Sequence, residues 1–267
     1  MDFGMPTLLE TKNIDECALL CANLGLKFIE LSMNLPEYQV NKLNVNRLSA
    51  IADKYGLYYT IHLEEKLSPC DFNERIAAAY TQTVLDVIEL AKQLNVRILN
   101  MHLSEGVYFT LPNSRKFLYD EYYDIYVEKL LSFRESCEEK IGDKDIKICI
   151  ENTVGYNRQP FLKKSLDILL ESQTFALTFD IGHNACIGFS DEPIINDYLD
   201  KLMHMHVHDA KAAGNHLALG DGELDLINYI DMAIRNNCRM VIETKTVDAL
   251  KQSVKWLKAK YAPLLQV

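Results

Sequence analysis

The chain has little that would staple, anchor or divide it. Its seven cysteines are Cys17, Cys21, Cys70, Cys137, Cys149, Cys186 and Cys238, and no two are spaced as CxxC. That excludes a paired-thiol redox motif and a closed, cysteine-rich structural zinc site. The count is odd and several lie inside apolar runs, so they read as reduced thiols, mostly buried, in a cytoplasmic protein. No apolar run approaches the ~20 residues that cross a membrane. The opening Met1-Asp2-Phe3-Gly4 has no basic stretch followed by an apolar one, so no signal peptide is expected. Positive charge is also in deficit: 28 Lys and Arg stand against 38 Asp and Glu, a net charge of −10. This argues against a broad nucleic-acid-binding face, though not against a local basic patch. Glycines and prolines number 11 and 7 and nowhere gather into a linker, so a single domain over residues 1–267 is expected.

What is present is an alternation of short apolar runs with longer amphipathic stretches. The runs Asp2–Pro6, Phe28–Ser32, Tyr58–His62, Arg97–His102, Lys147–Glu151, Ala176–Asp180, Leu202–His206 and Met240–Glu243 read as strands. Helical spacing fills the intervals: Asn13–Leu24, Asn44–Tyr55, Asn73–Leu94, Tyr119–Lys140, Phe161–Ser172, Pro193–Leu199, Leu224–Asn236 and Val247–Tyr261. Gly25 and Gly56 stand where C-terminal caps fall. Strands apolar on both faces and joined by helices are parallel and buried. A doubly wound open sheet shares that pattern, but no GxGxxG turn follows the first strand. With a length near the ~250 residues such a fold takes, the pattern predicts an α/β chain forming one (β/α)8 barrel. The longest irregular stretch, Leu103–Lys116, is expected to be a loop over the site.

Seven successive strands end in, or beside, an acidic or imidazole side chain: Glu30, His62, His102, Glu151, Asp180 with His183, His206 and Glu243. In such a barrel these ends converge on one mouth, where active sites lie. A carboxylate closing an apolar run must be paired, hydrogen-bonded or metal-bound. Any one histidine is more often a satisfied core residue, and Glu30 can serve only to hydrogen-bond inside the barrel. The series as a whole resists that bland reading. His204, His206 and His208 have strand period two and can all point one way; His206, at the expected strand end, is the preferred ligand. Mixed imidazole and carboxylate donors suit Mn²⁺ or Zn²⁺ first, with Co²⁺, Fe²⁺ or Mg²⁺ as alternatives, over an all-oxygen calcium site.

These strand ends resemble the xylose isomerase-like barrels, a superfamily of sugar isomerases and epimerases that also includes the apurinic endonucleases of the endonuclease IV type. The resemblance covers most of the chain and is strongest from Lys147 to Thr246. It implies a metal set of Glu151 in CIEN, Asp180 in FDIGH, His206 in MHVHD and Glu243 in VIET. It also implies Glu151 and Glu243 as acid and base on opposite faces of the substrate carbon, and His183 in contact with substrate. The endonuclease pattern adds His62 and His102 and matches Glu151-Asn152-Thr153 and the run from His206 to Lys211. It departs at its later Asp-x-His pair, where His216 matches but Gly214 replaces the Asp. The stretch from His216 to Asp225 is typical of the isomerase side. The resemblance thus implies a metal-dependent sugar or sugar-phosphate isomerase or epimerase. Its substrate-contacting residues are His183, Lys211 and His62, and His62, His102, His183 and His216 are further metal candidates. Lys66, Arg115, Arg158, Lys211 and Lys245 are candidate phosphate partners. A metal-dependent phosphodiesterase acting on abasic DNA, another metallohydrolase, and a barrel that binds a small molecule without turnover are the alternatives. A small-molecule sugar is the expected partner, with no membrane and no preferred nucleic acid; whether the chain forms a homo-oligomer is left open.

Overall fold

The computed structural model describes residues 2–211 and 214–261; the ends of the expected 1–267 domain and residues 212–213 lie outside the described residues. Eight parallel strands close a barrel: β1 (Asp2–Pro6), β2 (Phe28–Ser32), β3 (Tyr58–His62), β4 (Ile98–His102), β5 (Lys147–Glu151), β6 (Phe175–Asp180), β7 (Leu202–Val207) and β8 (Arg239–Ile242). Each strand pairs with its sequence neighbours, and β1 pairs with β8 to complete the circle. Eight helices form the outer layer: α1 (Ile14–Leu24), α2 (Val45–Tyr55), α3 (Glu74–Leu94), α4 (Tyr123–Ile141), α5 (Pro160–Leu170), α6 (Glu192–Asp197), α7 (Leu226–Arg235) and α8 (Val247–Lys260).

Local chemistry sets the helix ends. The side chains of Asn13, Asn44, Asn73 and Thr246 accept hydrogen bonds from backbone N–H groups of the first turns they precede. Gly25 and Gly56 close α1 and α2 at φ 79° and 64°, where a side chain would be strained. The helices bury Leu, Ile and Val against the outer face of the barrel in one continuous core.

The barrel interior is layered. At the bottom Phe28 is fully buried, stacks on Tyr58 with ring centroids 5.1 Å apart, and fills space that only Gly4 leaves open: a Cβ at position 4 would lie 2.5 Å from the Phe28 ring. Above it the register sets Glu30 beside Thr60, and Thr178 beside His204. At the top His102 lies beside Glu151, and Asp180 beside His206.

Four details depart from the sequence reading. The stretch Leu103–Lys116 is not an irregular loop: Tyr108–Leu111 and Ser114–Phe117 pair as an antiparallel hairpin. The helix expected over Tyr119–Lys140 breaks at Tyr122, whose φ −116° and ψ 46° lie outside the helical region. A short helix, Ile181–Cys186, follows β6 directly, capped by Asp180. Strand β8 ends one residue before Glu243, although the Glu243 N–H still donates to the Val207 carbonyl at 3.1 Å.

Candidate metal centre and active site

The three histidines of β7 and its end do all turn inward, as period two requires, but each meets a different partner. His204 Nε2 lies 3.0 Å from Glu30 Oε2, His206 Nε2 2.9 Å from Glu30 Oε1, and His208 Nε2 3.0 Å from Asp180 Oδ1. His206 therefore stands at the centre. Its other nitrogen, Nδ1, lies 3.2 Å from Glu243 Oε2, 3.5 Å from Glu151 Oε2 and 3.8 Å from Asp180 Oδ2. The four residues grouped from sequence thus converge, and all are buried.

Glu151 is the hub of the mouth. Its Oε2 accepts from Asn100 Nδ2 and lies 3.2 Å from His102 Nε2 and 3.5 Å from His62 Nε2, while its Oε1 lies 3.1 Å from His183 Nδ1. His62 and His102 also touch each other edge to face, with centroids 4.9 Å apart. Both histidines thus face the mouth cluster rather than the helix layer. His216 stands on the far side, its Nδ1 3.7 Å from Glu243 Oε2, and packs against His208.

Charge explains the protonation pattern. Burial pushes the Glu151 carboxyl up, but His102 and His206 reverse this and hold it well below the usual carboxylate range. Glu243 is likewise held low, by His206 and Lys245 against its burial. Burial pulls the His206 ring down, and Glu243, Glu151 and Glu30 together raise it well above its ordinary value. His62 and His183 follow the same logic: burial opposes their charge, the nearby Glu151 carboxylate outweighs it, and both are pushed up to about 9. His216, by contrast, is lowered by burial to about 4.

The donor set fits a divalent ion. His206 Nδ1 and Glu243 Oε2 are both buried without a hydrogen-bond partner, and they face each other across a gap that Asp180 and Glu151 also border. Unsatisfied buried polar atoms are rare and call for a specific reason. Ligand atoms of Asp180, His206 and Glu243 lie within 4.8 Å of one another, as do those of His62, His102 and Glu151 in a second group.

Two features hold these groups in place. Gly182, in the FDIGH run, packs so tightly on His208 that a Cβ would sit 1.9 Å from its Cε1. Asp209 organises the loop after β7: Oδ1 accepts from the N–H groups of Ala210 and Leu224, and Oδ2 from that of Gly220. Asp209, within the run from His206 to Lys211, is therefore a loop brace.

Of the five candidate phosphate-binding cations, one meets the cluster: Lys245 Nζ, 2.7 Å from Glu243 Oε1. Lys211 does not. It is exposed and lines a separate cavity with Cys186, Phe189 and Glu223. Arg158 faces Glu105 at 3.6 Å, Arg115 lies over the Tyr108 ring on the hairpin, and Lys66 is exposed. Sequence reasoning passed over Asn100, although its position two residues before His102 on one strand was the available signal.

The closed parallel barrel and its carboxylate–imidazole mouth define the class. The chain belongs to the xylose isomerase-like TIM barrel family, whose model matches residues 18–260. An uncharacterised protein of Methanocaldococcus jannaschii is 26% identical over 267 residues, 97% of this chain and 98% of its own. Among solved structures, a D-tagatose 3-epimerase-like protein superposes with a TM-score of 0.78 at 22% identity, covering 99% of this chain and 98% of that one. The 3-keto-D-glucoside 4-epimerase YcjR of E. coli gives 0.72 at 17% identity, over 97% and 99% of the two chains. At these identities the structural likeness establishes the fold.

Proposed function

We propose that the protein is a metal-dependent sugar isomerase or epimerase that moves a proton at carbon. The observation that carries this reading is the convergence of Glu151, Asp180 and Glu243 on the unpartnered Nδ1 of His206. These four residues would hold the ion, Mn²⁺ or Zn²⁺ ahead of Co²⁺, Fe²⁺ or Mg²⁺. When bound, the ion polarises a carbonyl and its neighbouring hydroxyl and so acidifies the intervening C–H. Glu151 and Glu243 are the two candidate bases. They approach the cluster from β5 and from just past β8, and both are held ionised, the state a base needs. Glu243 has the freer oxygen: Oε1 is fixed by Lys245 and Oε2 has no hydrogen-bond partner. His183, whose Nδ1 lies 3.1 Å from Glu151 Oε1, would hold a substrate hydroxyl against that carboxylate. The epimerases among similar folds support the reaction class.

The substrate side is a cleft of about 130 Å³ beside Glu243, lined by Thr7, Ser32, Asn34, His62, Glu65 and Lys245. Hydroxyl, amide and carboxylate groups suit the alternating donors and acceptors of a polyol. Lys245, the one Lys or Arg among the described residues lining this cleft, is already bound to Glu243, and Glu65 adds negative charge. The cleft therefore favours an unphosphorylated hydroxy-carbonyl sugar over its phosphate ester.

The test is hydrogen exchange. Incubated in heavy water with metal, the enzyme should place deuterium on carbon in a ketose, an aldose or a related hydroxy-carbonyl compound. One observation favours a second reading: the His62–His102–Glu151 group offers room for a second ion, as a phosphodiesterase acting on abasic DNA would use. Metal-dependent cutting of abasic duplex, with no carbon-bound exchange across a broad sugar panel, would establish that reading instead. The net charge of −10 and the single Lys or Arg among the described residues lining the cleft weigh against it.

A further inference from the structure

Glu30 lies one layer below the mouth, in the middle of the barrel, and is 2% exposed. Barrel interiors at this height are usually filled by branched apolar side chains, which would pack there without desolvating a charge. Its reason must lie in what it holds, and both of its oxygens are in use. Oε1 faces His206 Nε2 at 2.9 Å; Oε2 faces His204 Nε2 at 3.0 Å and accepts from Thr60 Oγ1 at 3.2 Å. The carboxylate is braced on one side and presents its free edge to His206 on the other.

An imidazole bound between a carboxylate and a cation carries its proton on the nitrogen that faces the carboxylate. For His206 that nitrogen is Nε2, because Glu30 is its hydrogen-bond partner there. The lone pair then falls on Nδ1, the nitrogen that Glu243, Glu151 and Asp180 surround. We propose that Glu30 is a positioning residue: it locks the orientation and tautomer of His206 so that Nδ1 faces the metal, with His204 and Thr60 holding the carboxylate still. The inference rests on the metal-centre reading above and assigns a function to the polar layer beneath it.

The Glu30→Gln variant tests this, because it keeps the shape of the side chain. An amide has one acceptor oxygen, so it cannot receive a proton from both His204 and His206. Zinc affinity, measured by competition with a chromophoric chelator, should fall about 10–100-fold. Thr60→Val, which removes only one brace, should give a smaller loss in the same direction. The readout that separates positioning from general support is the long-range nitrogen–proton spectrum of the zinc-loaded protein labelled with ¹⁵N-histidine. In the wild type His206 should carry its proton on Nε2 and bind zinc through Nδ1. In Glu30→Gln the Nε2 proton signal should shift and exchange faster with water. A wild-type spectrum with zinc on Nε2 overturns the proposal without any variant, so it remains testable even if Glu30→Gln fails to fold. Unchanged affinity and an unchanged His206 signal in Glu30→Gln overturn the Glu30 role alone and leave the metal centre standing. A wild-type protein that takes up no zinc or manganese overturns the metal reading and the proposal with it.

Discussion

The residues of the mouth hold protons that the proposed metal would have to displace. In the metal-free protein His62 is pushed up to about 9 because the adjacent Glu151 carboxylate outweighs its burial. A ring raised in the fold from its ordinary 6.5 contributes stability that is complete below 6.5 and is lost as pH rises through about 9. His183 adds a contribution of the same sign over the same window. Chelator-treated protein should therefore lose urea resistance between pH 6.5 and 9, and zinc loading should abolish that loss. A flat stability profile for the chelated protein would contradict these assignments. Metal uptake near neutral pH should also release protons, which calorimetry in buffers of different ionisation enthalpy will count. For the chemistry itself, Glu243→Gln should fold normally and lose about 10²–10⁴ in the rate of deuterium incorporation. A variant that exchanges at the wild-type rate would remove Glu243 from the acid–base pair.

At the scale of elements, the site depends on how the segments after β6 and β7 meet. The helix Ile181–Cys186 starts directly on Asp180, and its Gly182 lets His208 approach. Gly182→Ala should push His208 off Asp180. Overpacking of this kind typically costs about 1–3 kcal/mol, read as a lower denaturation midpoint. Metal affinity should fall with it, because Asp180 loses the ring that orients it. Retention of both midpoint and affinity would show that the segment yields freely. The loop after β7 is held in another way, by three backbone N–H groups on Asp209. The run from His216 to Asp225, distinctive in sequence, therefore owes part of its regularity to hydrogen bonding away from the mouth.

For the whole molecule, an ion held by strands β5 to β8, as proposed, would couple the barrel's stability to metal concentration. With free zinc or manganese at about 100 times its dissociation constant, unfolding should become harder by about 2.7 kcal/mol and the melting temperature should rise accordingly. A melting temperature indifferent to both metals would mean that the native barrel binds neither. Among the described residues no helix is long and apolar enough to cross a membrane. The buried thiols Cys17, Cys21, Cys70, Cys137, Cys149 and Cys238 are all pushed up by desolvation, to about 12 or higher, which keeps them unreactive.

The strands were legible in the sequence because parallel barrel strands are apolar on both faces and each ends at a polar side chain. Four of the eight run between the residues read from sequence and the other four differ by one residue at an end or at both, and Glu151, Asp180, His206 and Glu243 belong to the series of polar residues read at or beside the strand ends. The hairpin at Tyr108–Phe117 was not legible, since its exposed strands bury too little apolar surface to set a pattern. Nor was the position of Lys211 in a cavity with Cys186, Phe189 and Glu223, because a charge has no period that tells which cavity it enters. Period two placed His204, His206 and His208 on one side of a strand. It left undetermined that Glu30, far away in the chain, would take the first two and Asp180 the third. The sequence by itself determined the barrel and the chemical types gathered at its mouth. Only the tertiary structure decided which groups gather on His206 Nδ1 and which brace them, because partners across a closed barrel are chosen by strand register and not by spacing along the chain.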